Sequence, residues 1–158
     1  MATTTSPHDV TLTITRRFHA PIEKVFKAWT DPQALRQWFA PSDQHHTLLA
    51  EVDLRAGGRY RIQLQAPDGT VSTVSGVYKE IRPPKRLVFT WAWEAGSGCG
   101  TTVTTECETL VTVQFHDRDQ VTDMILTHEH FPTPDDRHAH HEGWTGCLDR
   151  FPYAQPHH

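Results

Sequence analysis

From His46 to His130 apolar side chains recur at every second position, a period of two kept for roughly eighty residues. A helix needs a period near 3.6, so this stretch can only fold as a succession of half-buried strands. Leu48, Ala50, Val52 and Leu54 fall on one face of the first. After a Gly57-Gly58 turn, Tyr60, Ile62 and Leu64 share a face of the next. Pro67-Asp68-Gly69 turns the chain into a strand from Thr70 to Ile81, which Pro83-Pro84 ends. Leu87, Phe89, Trp91 and Trp93 then alternate, placing two indoles and two other large side chains on a single face. Beyond a loop at Gly96 to Gly100, Val111, Val113 and Phe115 alternate, Asp117 to Gln120 turns, and Thr122 to His130 forms the last strand. Short connections of this kind predict an antiparallel meander.

The flanks of this block read differently. Asp9 to Phe18 begins with alternating Val10, Leu12 and Ile14, a strand. Ile22, Val25, Phe26 and Trp29 then follow helical spacing behind Pro21. Asp31-Pro32 repeats the start signal, with Leu35, Trp38 and Phe39 on one side of a second short helix. At the other end, Thr133-Pro134-Asp135-Asp136 opens a helix whose apolar stripe is Trp144, Cys147, Leu148 and Phe151, ended by Pro152. The order predicts an α+β fold in which this helix covers the indole-bearing face of the sheet. Continued backward, the stripe passes through His141, His140 and Arg137, so its first half is polar.

With 158 residues the chain suits one domain, expected over residues 9–155 behind a disordered tail at 1–8. A formal charge of -4 argues against a phosphate-backbone binder, and nucleic acid is not expected as a partner. The longest apolar runs are triplets such as Met124-Ile125-Leu126, far short of the ~20 residues of a spanning helix, so no membrane insertion is expected. Met1 to Asp9 lacks the basic start and apolar core of a secretory signal, which points to the cytosol, where Cys99, Cys107 and Cys147 would stay reduced. Histidine is abundant: full protonation of all 12 would move the charge from -4 to +8, just below neutral pH.

Several local patterns together resemble the SRPBCC superfamily. They are Arg17-Phe18-His19-Ala20-Pro21 with Val25 and Trp29, Asp31-Pro32 through Trp38, Asp53 to Gly58, Leu87-Val88-Phe89-Thr90-Trp91, and Gly143-Trp144. Within it the chain is similar to the bacterial single-domain members of the branch named after the activator of heat-shock protein 90 ATPase. The resemblance implies a helix-grip fold: an antiparallel sheet wraps a long C-terminal helix, two small helices close one side, and a cavity lies between. Relatives include ligand carriers, lipid-transfer domains, and aromatase and cyclase domains, so fold alone does not name a reaction. The eukaryotic cochaperone has a separate N-terminal domain needed for full ATPase stimulation, which this chain is too short to contain; ATPase activation is therefore not expected. A homodimer is plausible from the family.

In such a fold the cavity is lined by inward strand faces and by the open part of the helix stripe. Met124, Leu126, His128 and His130 share a face of the last strand, which places His128 in the lining and His130 at the mouth. His141 and Arg137 approach from the helix, Trp91, Trp93 and Trp144 supply an aromatic wall, and Tyr60 and Tyr78 add hydroxyls. These residues suit a small apolar or aromatic ligand, with Arg137 available to a carboxylate or phosphate. The alternatives are a cyclase, aromatase or hydrolase using His128 or His141 as acid-base group, and a module that binds a chaperone or regulator by its outer surface. No cofactor is expected, and no metal: His128, Glu129, His130, His138, His140 and His141 lack the His-Glu-x-x-His spacing of zinc proteases. Asp53, Arg55 and Gly57-Gly58 read as a turn with a local ion pair.

Overall fold

Seven strands and three helices make up the residues described by the computed structural model, which are 10–39, 44–93, 109–131 and 134–151. The tail at 1–8, the Gly96–Gly100 loop, Cys99 and Cys107, and the flanking Thr133 and Pro152 lie outside them. In chain order the elements are β1 (Val10–Phe18), α1 (Ile22–Thr30), α2 (Pro32–Trp38), β2 (His46–Val52), β3 (Arg59–Gln65) and β4 (Val71–Arg82). There follow β5 (Arg86–Trp93), β6 (Thr109–Asp117), β7 (Thr122–Phe131) and α3 (Pro134–Asp149).

The strands form one antiparallel sheet in the order β1-β7-β6-β5-β4-β3-β2. β2 to β7 are the predicted meander, and the first strand joins the last, Ile14 opposite Leu126. One face is apolar along nearly every strand: Leu12, Ile14, Tyr60, Ile62, Tyr78, Phe89, Val111, Val113, Met124 and Leu126 are all buried. The helices seal it. Asp31 caps α2 by accepting from the Gln33 amide at 3.0 Å, and the Trp38 indole donates to the Ala28 carbonyl at 2.9 Å, locking α2 to α1. From α3, Trp144, Cys147 and Leu148 are buried, while Phe151 just beyond it stacks on Phe18 at 4.2 Å between ring centres. No described helix is long and apolar enough to cross a membrane.

Two local features depart from simple alternation. The pairing of β2 with β3 shifts between Thr47 and Leu49, so Leu48 points outward at 41% exposure; Leu54 lies past the strand end, 43% exposed. The shared face expected for Leu48, Ala50, Val52 and Leu54 therefore shrinks to Ala50 and Val52, which pack on the core. On β4, Gly76 lies opposite Tyr60, and a Cβ there would sit 2.0 Å from the Thr90 carbonyl oxygen. The missing side chain lets Tyr60 reach across and donate to that carbonyl at 2.5 Å, while the Val77 amide donates to Thr90 Oγ1 at 2.8 Å. The 53–58 segment is the expected turn: Arg55 Nε donates to Asp53 Oδ2 at 2.9 Å, and Gly57 takes a φ of +86°.

Candidate functional site

Packing of the two small helices against the sheet leaves a hollow over β3, β4 and β5. Its roof is Trp29 of α1, Leu35 of α2 and the following Phe39; its floor is Tyr60 and Ile62 of β3, Tyr78 of β4, and Phe89 and Trp91 of β5. Six of these eight side chains are aromatic and none carries a formal charge. The space is about 20 Å³, enough for one water molecule. Anything larger must push the aromatic walls apart.

The polar atoms around this hollow are not equally occupied. Tyr60 spends its hydroxyl on the Thr90 carbonyl. The Trp29 indole N–H is buried with no hydrogen-bond partner among the described residues. Tyr78 is buried, and burial pushes its phenol well above the ordinary value, so it remains a protonated donor. Two donors thus border an uncharged aromatic space.

His128 has the opposite surroundings. It is fully buried, and the Trp144 indole donates to its Nδ1 at 3.0 Å. Trp144 Nε1 can only donate, so the ring proton sits on Nε2, which donates to Thr109 Oγ1 at 2.6 Å. The Thr109 hydroxyl donates in turn to the Trp91 carbonyl at 3.1 Å. Rings enclose the imidazole: Phe131 at 4.3 Å, His140 at 5.3 Å, Trp91 at 5.5 Å and Trp144 at 6.2 Å. Burial, with a smaller contribution from His140, lowers its pKa well below the usual histidine value. The ring is neutral and both nitrogens are engaged, so it fastens α3 to the sheet and leaves no free nitrogen for proton transfer.

The structure sorts the residues expected in the lining into three groups. Tyr60, Tyr78 and Trp91 border the hollow. Trp144 stands behind Trp91 at 5.0 Å and touches Trp29 and Phe39 at 5.7 and 5.8 Å, and His128 lies beyond it. His128 is therefore interior, as its strand parity requires, but it does not line the hollow. Arg137 and His141 do not approach it: both are exposed, and the helix histidine turned inward is His140, 4.9 Å from the Phe131 ring. At about 100° per residue, His140 falls inside the arc spanned by Cys147, Trp144 and Leu148, and His141 just outside it. Arg137 has the right angle, but its turn is unpacked, with Pro134, Asp135, His138 and Ala139 all exposed. His130 is exposed and takes a positive φ of 75° at the end of β7. Trp93 closes β5, and its side chain is outside the described set. Trp29, Leu35, Phe39, Ile62 and Phe89 complete the lining; their helical and alternating spacing marks them as inward-facing, but nothing in it separates a cavity wall from solid core.

An antiparallel sheet wrapped on a terminal helix, closed by two short helices, defines a helix-grip domain, and an aromatic hollow under the short helices is its candidate site. The family model described as Activator of Hsp90 ATPase homolog 1-like protein matches residues 19–153, and the chain belongs to that family. Among solved structures, protein CV1439 from Chromobacterium violaceum is 25% identical, with a TM-score of 0.77 over 89% of this chain and 93% of that one. An uncharacterized protein from Rhizobium leguminosarum is 30% identical, with a TM-score of 0.74 over 90% and 91% of the two chains. An AHSA1-like protein from Aeromonas hydrophila is 27% identical, with a TM-score of 0.71 over 94% and 100%. A search of curated proteins finds no match. Family membership supports a ligand-binding or regulator-binding module in general.

Proposed function

We propose that this protein binds a small, flat, uncharged molecule of mainly aromatic character between α1–α2 and the β3–β5 floor. The observation that carries the reading is the composition of the hollow: six aromatic walls, no charge, and a buried Trp29 indole N–H with no acceptor among the described residues. A neutral aromatic ring with one acceptor oxygen would satisfy a donor while its faces stack on the walls. A carboxylate would be buried without a cation, because Arg137 lies elsewhere. The hollow is water-sized, so binding requires the aromatic walls to open, and affinity is reduced by the free energy of opening.

Thermal unfolding and heteronuclear NMR with acetophenone, ethylbenzene and benzoate test this. Acetophenone is expected to raise the melting temperature saturably and to shift the Trp29 indole N–H resonance; benzoate is expected to do neither. Ile62→Trp, which fills the hollow, should abolish the effect in a folded protein. The reading fails if neither neutral ligand stabilises the chain, or if the shifts map away from the hollow.

A further inference from the structure

The opposite face of the sheet carries a second feature. Thr15 and Arg17 alternate with the inward Ile14 and Phe18 on β1, Asp123 and Ile125 alternate with Met124 on β7, and His116 follows the inward Phe115 on β6. Register brings them together, since Asp123 lies opposite both Arg17 and His116. Arg118 joins from the β6–β7 turn. That turn is a two-residue hairpin connection closed by the Arg118 amide on the Val121 carbonyl at 2.8 Å, with Asp119 at φ 57° and Gln120 at φ 64°. Side chains rarely adopt this conformation, and neither residue is glycine or asparagine, so the turn is held by its surroundings. Asp117 contributes by accepting from the Asp119 amide at 2.9 Å.

Asp123 organises the two arginines. It accepts from Arg17 Nε at 2.8 Å and Nη2 at 3.2 Å, and from Arg118 Nε at 3.1 Å. The hydrogen bond from Arg17, above all, holds its carboxyl down at about 2, so it stays ionised throughout the neutral range. Each guanidinium is thus oriented through its Nε edge. Nη1 of Arg17 and both Nη atoms of Arg118 have no partner among the described residues. These residues line an open groove of about 500 Å³ together with Arg16, which is paired with Asp149 at 3.8 Å. With Arg16 so balanced, Arg17 and Arg118 against Asp123 leave a net positive charge in the lining, on a chain whose total is -4.

We propose that this groove binds the phosphoryl group of a phosphate monoester, with Arg17 and Arg118 as paired anchors. The resident carboxylate already balances one guanidinium, so a monoanionic carboxylate gains little there; a phosphate dianion carries the second charge and oxygens enough to bridge both Nη edges. Asp123 lowers the ordering cost of binding by holding the two side chains before the ligand arrives.

The test is titration of the full chain with phenyl phosphate, inorganic phosphate, acetate and sodium chloride at matched ionic strength, followed by amide and arginine Nε NMR shifts. Saturable shifts confined to residues 15–17 and 116–123 are expected with the phosphates and absent with acetate and chloride. Tighter binding of phenyl phosphate than of inorganic phosphate assigns the site to an organic ester; the reverse assigns it to the free ion. Arg118→Gln, in an exposed turn, should weaken binding about tenfold with an unchanged melting temperature, and Arg118→Lys should recover only part of it. The proposal is overturned if phosphate shifts match those of chloride, if acetate binds equally, or if Arg118→Gln binds as the parent does.

Discussion

The two halves of the interior are built from the same kinds of side chain and end in opposite states. Around β6, β7 and α3, an indole, an imidazole and a hydroxyl pass hydrogen bonds in a closed chain from Trp144 through His128 and Thr109 to the Trp91 carbonyl. Around β3, β4, β5 and the two short helices, Trp29 borders a hollow with its indole N–H left over among the described residues. Trp91 belongs to both, facing Trp144 at 5.0 Å on one side and Phe39 at 5.8 Å on the other. A buried polar group costs little when its partner is built in and about 1–3 kcal/mol when it is not. The sealed half therefore serves stability. The hollow half retains a cost that a visiting acceptor can relieve.

This contrast can be broken at its strongest point first. His128→Ala removes a fully buried ring and strands the Trp144 N–H, so chemical denaturation should show a loss of about 4 kcal/mol. A loss under 1 kcal/mol would mean that the closed chain contributes nothing. Acid comes next. The unfolded chain takes up a proton at this histidine near pH 6.5 while the folded one resists it, so the contribution is constant above that pH. As pH falls below it, stability is lost by up to ~1.4 kcal/mol per unit until the depressed folded value is reached. Between pH 7 and pH 5 this amounts to about 2 kcal/mol, and His128→Gln should flatten that part of the profile. A matched pair of indole substitutions sharpens the comparison: Trp144→Phe should cost about 1–2 kcal/mol more than Trp29→Phe, because only the first leaves an acceptor unpaired. Equal losses would erase the distinction between the halves. The smallest effect is that of Tyr78→Phe: the Tyr78 hydroxyl is not among the buried polar atoms left without a partner in the described residues, and its removal should change stability by less than about 0.5 kcal/mol.

Much of the architecture was legible because periodicity is a backbone property. Alternation at Tyr60, Ile62, Phe89, Trp91, Val111 and Val113 named the inner face of each strand, and the helical spacing at Trp144, Cys147 and Leu148 named the buried stripe of α3. Leu48 and Leu54 escaped this logic because a bulge and a strand end shifted them out of phase. The site was less legible. Arg137 follows the stripe angle of α3, yet its turn is unpacked. His141 misses the interior by one position, and His140 takes its place beside His128. An angle on a helix wheel says which way a side chain points, and says nothing of how far along the axis a partner extends.

The order of elements, the inward faces and the burial of His128 are consequences of local spacing, which the chain carries in any one of its segments. Three outcomes come from long-range packing. The hollow exists because Leu35 and Phe39 come to rest over Tyr78 and Phe89, far from them in sequence. Both nitrogens of the buried histidine are engaged because Thr109 and Trp144, 19 and 16 residues away, meet it from β6 and α3. Two arginines 101 positions apart converge on Asp123 because β1 and β7 close the order of the sheet. Contacts of this range depend on how whole elements settle against one another, and no local pattern records where that settling leaves a gap.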